Sequence, residues 1–179
     1  MKHAIGPRKD MAVRTIFNVL GPLTNPAGVK RQLVGVFAPD LTETIANVFL
    51  ELGSEHTLVV HSEDGMDEIS VSAPTQVSEL KEGKVSTYTI EPEVFGLSKQ
   101  PIDELIVADA AESLALIEKI FAGEACAARD AVVMNAGAGI YVSGLVESLD
   151  EGIKKAQTSI DSGKAKAAMD AYVQATQEA

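Results

Sequence analysis

The chain has one cysteine in 179 residues, so no internal disulfide can brace its fold. That residue, Cys126, sits in an Ala-rich, helix-like stretch with no histidine beside it, which marks a small core or near-surface position rather than a nucleophile. No segment approaches the roughly 18 uninterrupted apolar residues that a membrane span needs. The opening Met1-Lys2-His3-Ala4-Ile5-Gly6-Pro7-Arg8-Lys9 is basic but has no apolar run or small-residue cleavage site behind it, unlike a secretory signal. The expectation is a soluble, cytoplasmic chain with no membrane partner. Positive charge is also short: 15 Lys+Arg against 26 Asp+Glu give a net charge of −11, which disfavours nucleic acid as a partner. Internal repeats and low-complexity segments are absent, as are the Walker A and dinucleotide-binding glycine spacings.

What remains is a chain that is 46% hydrophobic and long enough to bury one sizeable core, which favours a single domain over residues 1–179. Its basic residues gather at the start (Lys2, Arg8, Lys9, Arg14, Lys30 and Arg31), while most of the acidic excess lies beyond residue 40. An anionic small substrate would find its counter-charge near the beginning. Residues 1–31 are punctuated by Gly6-Pro7, Gly21-Pro22 and Asn25-Pro26, which predicts loops and short helical turns.

From residue 32 the pattern alternates. Gln32 to Phe37 reads as a buried strand. Asp40 and Glu43 resemble a capping box, opening a helix with Leu41, Ile45, Val48, Phe49 and Leu52 on one face and Gly53 as its stop. His56 to His61 is the next strand. This βαβ order predicts a right-handed crossover in a mixed, mainly parallel sheet flanked by helices, an α/β fold. Ile69–Val71, Thr75–Leu80 and Lys84–Ile90 read as short antiparallel additions. The remainder is mostly helical: 110–122 ended by Gly123, 129–143, a third helix from Ser148 with Glu151 in capping-box position, and a tail helix after Gly163.

Three segments have residues suited to chemistry. Asp64-Gly65-Met66-Asp67-Glu68 follows the carboxyl end of the second strand, where open α/β sheets bind ligands, and its carboxylates suit Mg²⁺. A solvated acidic turn is the plainer reading of that spacing. Arg8 and the Gly21-Pro22 loop offer a guanidinium fork for a carboxylate and close backbone approach, although such a loop can simply be a turn. Met134-Asn135-Ala136-Gly137-Ala138-Gly139 is better suited to tight helix packing than to cradling phosphate. His56 and His61 bracket a strand; His61 is within plausible reach of the acidic loop, but both read as strand-end histidines.

Taken together, Met1-Lys2-His3, Arg8, the run Arg14 to Pro26, Val59-Val60-His61 and Asp64 to Ser70 closely resemble the anthranilate phosphoribosyltransferase family. So do Pro92 to Leu97, Asn135-Ala136-Gly137-Ala138 and Asp161-Ser162-Gly163-Lys164-Ala165. The resemblance spans essentially the whole chain. It implies the nucleoside-phosphorylase-like phosphoribosyltransferase fold and transfer of ribosyl phosphate from phosphoribosyl pyrophosphate to the amine of anthranilate, in tryptophan biosynthesis, with Mg²⁺. It also implies that Arg8 faces anthranilate, Pro22 lines the same pocket, and Asp67 and Glu68 hold the metal ion. The family's Gly-Thr-Gly-Gly-Asp phosphate loop, its Lys-His-Gly-Asn-Arg segment and its small helical domain would precede Met1. The chain is therefore expected to be an incomplete catalytic domain, poorly active alone. It would need the amino-terminal half as partner, lack most of the family's homodimer interface, and expose apolar surface where the helical domain docks. Ser62 stands where the family commonly has Gly; Val107-Ala108-Asp109 and Ser113 stand where Gly-Gly-Asp and a later Asn are usual. The rival readings are a nucleic-acid-binding paralogue, a pyrimidine nucleoside phosphorylase, and an inactive remnant.

Overall fold

A computed structural model describes residues 20–178. After one helical turn, Leu20–Leu23, the chain runs through β1 (Arg31–Gly35), α1 (Asp40–Glu51), β2 (His56–Ser62), β3 (Thr75–Lys81) and β4 (Lys84–Ile90). Two short 3₁₀ turns, Pro92–Phe95 and Ile102–Leu105, lead to α2 (Ala110–Phe121), α3 (Ala127–Val142), α4 (Leu149–Asp161) and α5 (Lys164–Gln177). The sheet order is β1-β2-β3-β4. β1 and β2 are parallel, with Arg31 opposite His56 and Gly35 opposite Val60. The β2–β3 and β3–β4 pairs are antiparallel. The sheet is mixed as expected, but among the described residues parallel pairing is confined to β1–β2.

β2 explains the layering. Its Thr-Leu-Val-Val run is buried on both faces, as befits a strand covered by helices on either side. Val59 joins Val34, Val36, Ile45, Ala46, Phe49 and Leu80 in a core beneath α1. Its neighbours Leu58 and Val60 point the other way, into a larger core with Val77, Val133, Met134, Tyr141 and Ile153 from the opposite face. Phe49 is 1% exposed, and burying such a side chain contributes about 1.5–3 kcal/mol.

The capping box expected at Asp40 and Glu43 does not form. Pro39 precedes the helix with no side-chain cap, and Asp40 and Glu43 both lie inside its first turn, where their charge favours the positive end of the helix dipole. The helix stops as expected: Gly53 adopts φ 72°, and Ser54 N–H reaches back to Phe49 O, the bond of a Schellman motif. Leu52, assigned to the apolar face, lies just past the helix and is 52% exposed. The starts predicted at residue 110 and Ser148 hold, while the helix expected from 129 begins at Ala127. Asp109 accepts from the N–H groups of Ala111 and Glu112 at the head of α2, and Ser148 accepts from Glu151 N–H at the head of α4. α3 crosses α4 at bare backbone: a Cβ on Gly137 would lie 2.7 Å from Ile153 Cα, and one on Gly152 would lie 2.3 Å from Gly137 O. Gly137 of the 134–139 stretch thus serves helix packing, whereas a Cβ on Gly139 would meet open space.

The strand expected at Ile69–Val71 is absent. These residues are fully buried but outside the ladder: side chains bond Ile69 and Ser70, and the Val71 carbonyl accepts from Gln100 N–H, which belongs to no strand. Ile69 N–H donates to Asn135 Oδ1 and Ser70 N–H to Thr75 Oγ1.

Candidate active site

The carboxyl ends of β1 and β2 lie side by side, and the loop from Glu63 to Pro74 leaves from the end of β2. Ser62 N–H donates to Met66 O at 2.9 Å, and Gly65 N–H donates to Ser62 O at 2.9 Å. Gly65 turns the chain with φ 94°, in the left-handed region that glycine enters without strain.

The three carboxylates of the Asp64–Glu68 stretch have different situations, contrary to their reading as one set. Asp64 is turned inward: it accepts from Met66 N–H at 3.1 Å through one oxygen and from the Ser70 hydroxyl through the other. Asp67 and Glu68 are exposed. Partial desolvation, and then the adjacent Asp67 carboxylate, push the Glu68 carboxyl above its ordinary value, with a backbone N–H opposing them in part. Two neighbouring carboxylates that repel one another are a donor set that a divalent cation relieves. Among the described residues no group of three or more His, Cys, Asp or Glu side chains is arranged to hold a metal ion. An adjacent pair could at most supply the one or two carboxylates that Mg²⁺ takes, the rest of its shell being water and phosphate oxygens.

Asp67 rests on the last residue of β1. A Cβ on Gly35 would lie 1.6 Å from Asp67 O, so the loop can sit there only because that position has no side chain. Pro22, Gly35, Phe37 and Asp67 are among the residues around one small cleft of about 50 Å³. Three of the four predicted site residues, Pro22, Asp67 and Glu68, thus gather at one end of the sheet; Arg8 lies outside the described residues. His61 does not turn toward the acidic carboxylates. Its Nδ1–H donates to Val36 O at 2.8 Å.

Two supports of the loop escaped sequence reasoning. One is Gly35. The other is Asn135, on α3, whose amide holds Ile69. The available signal was a polar residue of modest helix propensity within a run of small apolar ones, a position that calls for a hydrogen-bond partner.

At the opposite end of β2, His56 Nε2–H donates to Glu79 Oε1 at 2.8 Å, and the hydroxyls of Tyr141 and Tyr88 donate to the same carboxylate at 2.7 and 2.9 Å. Burial works to raise the Glu79 pKa, but these donors outweigh it and hold the carboxyl below its ordinary value. Burial and Glu79 together push Tyr88 and Tyr141 upward. This cluster braces the fold at the far end of the sheet from the acidic loop.

The α/β architecture agrees with the comparison to known families. The model for the glycosyl transferase family, a/b domain, matches residues 1–166, and the chain belongs to that family. The anthranilate phosphoribosyltransferase of Halorhodospira halophila (strain DSM 244 / SL1) is 46% identical over 178 residues, covering 99% of this chain and 52% of that protein. That of Marinomonas sp. (strain MWYL1) is 55% identical over 171 residues, covering 94% and 49%. The crystal structure of anthranilate phosphoribosyltransferase from Thermus thermophilus matches with a TM-score of 0.88 at 36% identity, over 97% of this chain and 51% of that one. The Saccharomyces cerevisiae protein in complex with PRPP and Mg matches with a TM-score of 0.89 at 27% identity, over 100% and 52%. The chain spans about half the length of the relatives it matches. Among the described residues no helix is long and apolar enough to cross a membrane.

Proposed function

We propose that this chain is the carboxy-terminal catalytic portion of an anthranilate phosphoribosyltransferase. The reaction would transfer ribosyl phosphate from phosphoribosyl pyrophosphate to the amine of anthranilate, giving N-(5′-phosphoribosyl)anthranilate and pyrophosphate. The observation that carries this reading is the loop after β2: adjacent exposed carboxylates at the carboxyl end of parallel strands, in a chain similar along nearly its whole length to proteins of that name.

Asp67 and Glu68 are the proposed magnesium ligands. Bound there, Mg²⁺ supplies counter-charge for the pyrophosphate leaving group, on which negative charge builds as the C–O bond breaks. Arg8 is assigned to anthranilate, its planar guanidinium matching the carboxylate, and Pro22 to the wall of the same pocket. The aromatic amine is a competent nucleophile once oriented, so much of the chain's contribution would be positioning. Residues 1–31 act in this reading as the pocket segment and residues 32–179 as the sheet and its helices.

The amino-terminal half of the relatives supplies what this stretch does not cover, so the chain alone turns over poorly or not at all. Exposed apolar side chains on and before α2, Ile106, Val107, Leu114 and Ile117, support a covering partner there. The test is anthranilate fluorescence in the presence of phosphoribosyl pyrophosphate and Mg²⁺, for this chain with and without a separately expressed amino-terminal half from a relative. Anthranilate consumption only with the added half is expected. Silence in both mixtures with a folded chain overturns the activity, and full turnover by the chain alone overturns the incomplete site.

A further inference from the structure

Asn135 sits on α3 among the small residues that pack against α4, yet its side chain is committed elsewhere. Its Oδ1 accepts Ile69 N–H at 3.0 Å, and its Nδ2 donates to Ile69 O at 2.8 Å and to Ala131 O at 2.9 Å. The two bonds to Ile69 match the exchange that an antiparallel strand offers one residue, here supplied by a single amide where no strand is present. The third bond, to its own helix, fixes the rotamer that makes the other two possible.

Ile69 follows Glu68 directly and is fully buried. On the other side of the carboxylate pair, the Asp67 backbone presses on Gly35. Asp67 and Glu68 are therefore exposed side chains on a short backbone segment clamped at both ends: against β1 by contact, and against α3 by the amide of Asn135. Ser70 continues the clamp, its N–H donating to Thr75 Oγ1 and its hydroxyl to Asp64. A cation held by only one or two protein carboxylates depends strongly on how those groups are oriented, so what fixes their backbone bears directly on affinity.

We propose that Asn135 is a positioning residue for the Asp67–Glu68 cation site, setting through the Ile69 backbone the direction in which both carboxylates leave the loop. The proposal rests on the reading of Asp67 and Glu68 as magnesium ligands. A tie that only stabilised the fold would alter unfolding but leave the cation response of folded molecules unchanged.

The test follows Mn²⁺, a paramagnetic stand-in for Mg²⁺, titrated into ¹⁵N-labelled chain while the backbone amides of residues 64–72 are monitored. The wild type should show broadening centred on Asp67 and Glu68, and Asp67→Asn should abolish it. In Asn135→Ala the Mn²⁺ concentration needed for the same broadening should rise about tenfold, the low end for partners that stand behind metal ligands. The Ile69 amide should exchange about tenfold faster in that variant while the rest of the spectrum stays dispersed. Asn135→Ser, too short to span both Ile69 groups, provides the same comparison if the alanine variant does not fold. A wild-type Mn²⁺ response in the folded variant overturns the role of Asn135 alone. A wild type without focused broadening overturns the metal-site reading and this proposal with it.

Discussion

Gly35 and Asp67 meet at backbone. A Cβ on Gly35 would lie 1.6 Å from the Asp67 carbonyl oxygen and 2.9 Å from its Cβ, so the end of β1 and the acidic loop can touch only where β1 has no side chain. The position of one candidate metal ligand is thereby tied to a residue 32 positions earlier that has no chemistry of its own.

Gly35→Ala should consequently displace the loop. Because the obstructing atoms belong to backbone, a rotamer change gives no relief, and the expected loss is about 1–3 kcal/mol, the range for overpacking a tight site. Urea denaturation measures it. Activity reconstituted with an amino-terminal half should fall as well, and a variant with wild-type stability and activity would show that the loop is not held there.

Asp64 and Asp67 share a loop but should behave differently. Asp64→Asn removes a charged acceptor from Met66 N–H and the Ser70 hydroxyl, at a cost of roughly 1–3 kcal/mol. Asp67→Asn changes an exposed side chain and should alter stability by no more than about 0.5 kcal/mol, while raising the Mg²⁺ requirement of the reconstituted enzyme. Equal thermal shifts for the two variants would refute this division.

Gly137→Ala pits two effects against each other. Alanine improves helix propensity by about 1 kcal/mol, but its methyl would lie 2.7 Å from the Ile153 backbone, and separating α3 from α4 opens the larger core. Overpacking should win by about 1–2 kcal/mol net, read as a lower denaturation midpoint. A stabilised variant would mean that the helices yield more easily than their contact implies.

Glu79 predicts an acid limb. Hydrogen bonds from His56, Tyr141 and Tyr88 hold its carboxyl below 4.5 in the folded chain, against the effect of burial. A depressed folded value stabilises the fold above the unfolded pKa and is lost as pH falls through the folded one. Glu79→Gln should therefore destabilise by roughly 1–3 kcal/mol near neutrality, with the gap to wild type narrowing below about pH 4.5. Urea melts at pH 7 and pH 3.5 measure the two ends, and a gap that does not change with pH would remove Glu79 as its source.

Strong local signals were legible along the chain. The Thr-Leu-Val-Val run of β2, the Gly53 and Gly123 stops, the helix start at Ala110 and the cap at Ser148 all appear where residue type and spacing put them. The failures have two physical causes. Ile69–Val71 has the β-branched composition of a strand, but Ile69 and Ser70 bond to the Asn135 and Thr75 side chains and Val71 O to the loop residue Gln100, which composition cannot reveal. Asp40 and Glu43 have capping-box spacing, but the helix begins at Asp40 itself, after Pro39.

The candidate site divides along the same line. Residue order and type alone determined that adjacent carboxylates follow a buried strand, that a Gly-Pro segment precedes the sheet, and that the chain resembles phosphoribosyltransferases. These are properties of contiguous segments, where the chain itself fixes which groups are neighbours. Only the tertiary structure decided that Asp64 braces the loop while Asp67 and Glu68 face solvent, that Gly35 carries Asp67, and that Asn135 holds Ile69 from 66 residues away. Those relations depend on how sheet and helices pack, and packing joins residues whose separation in sequence says nothing about their separation in space.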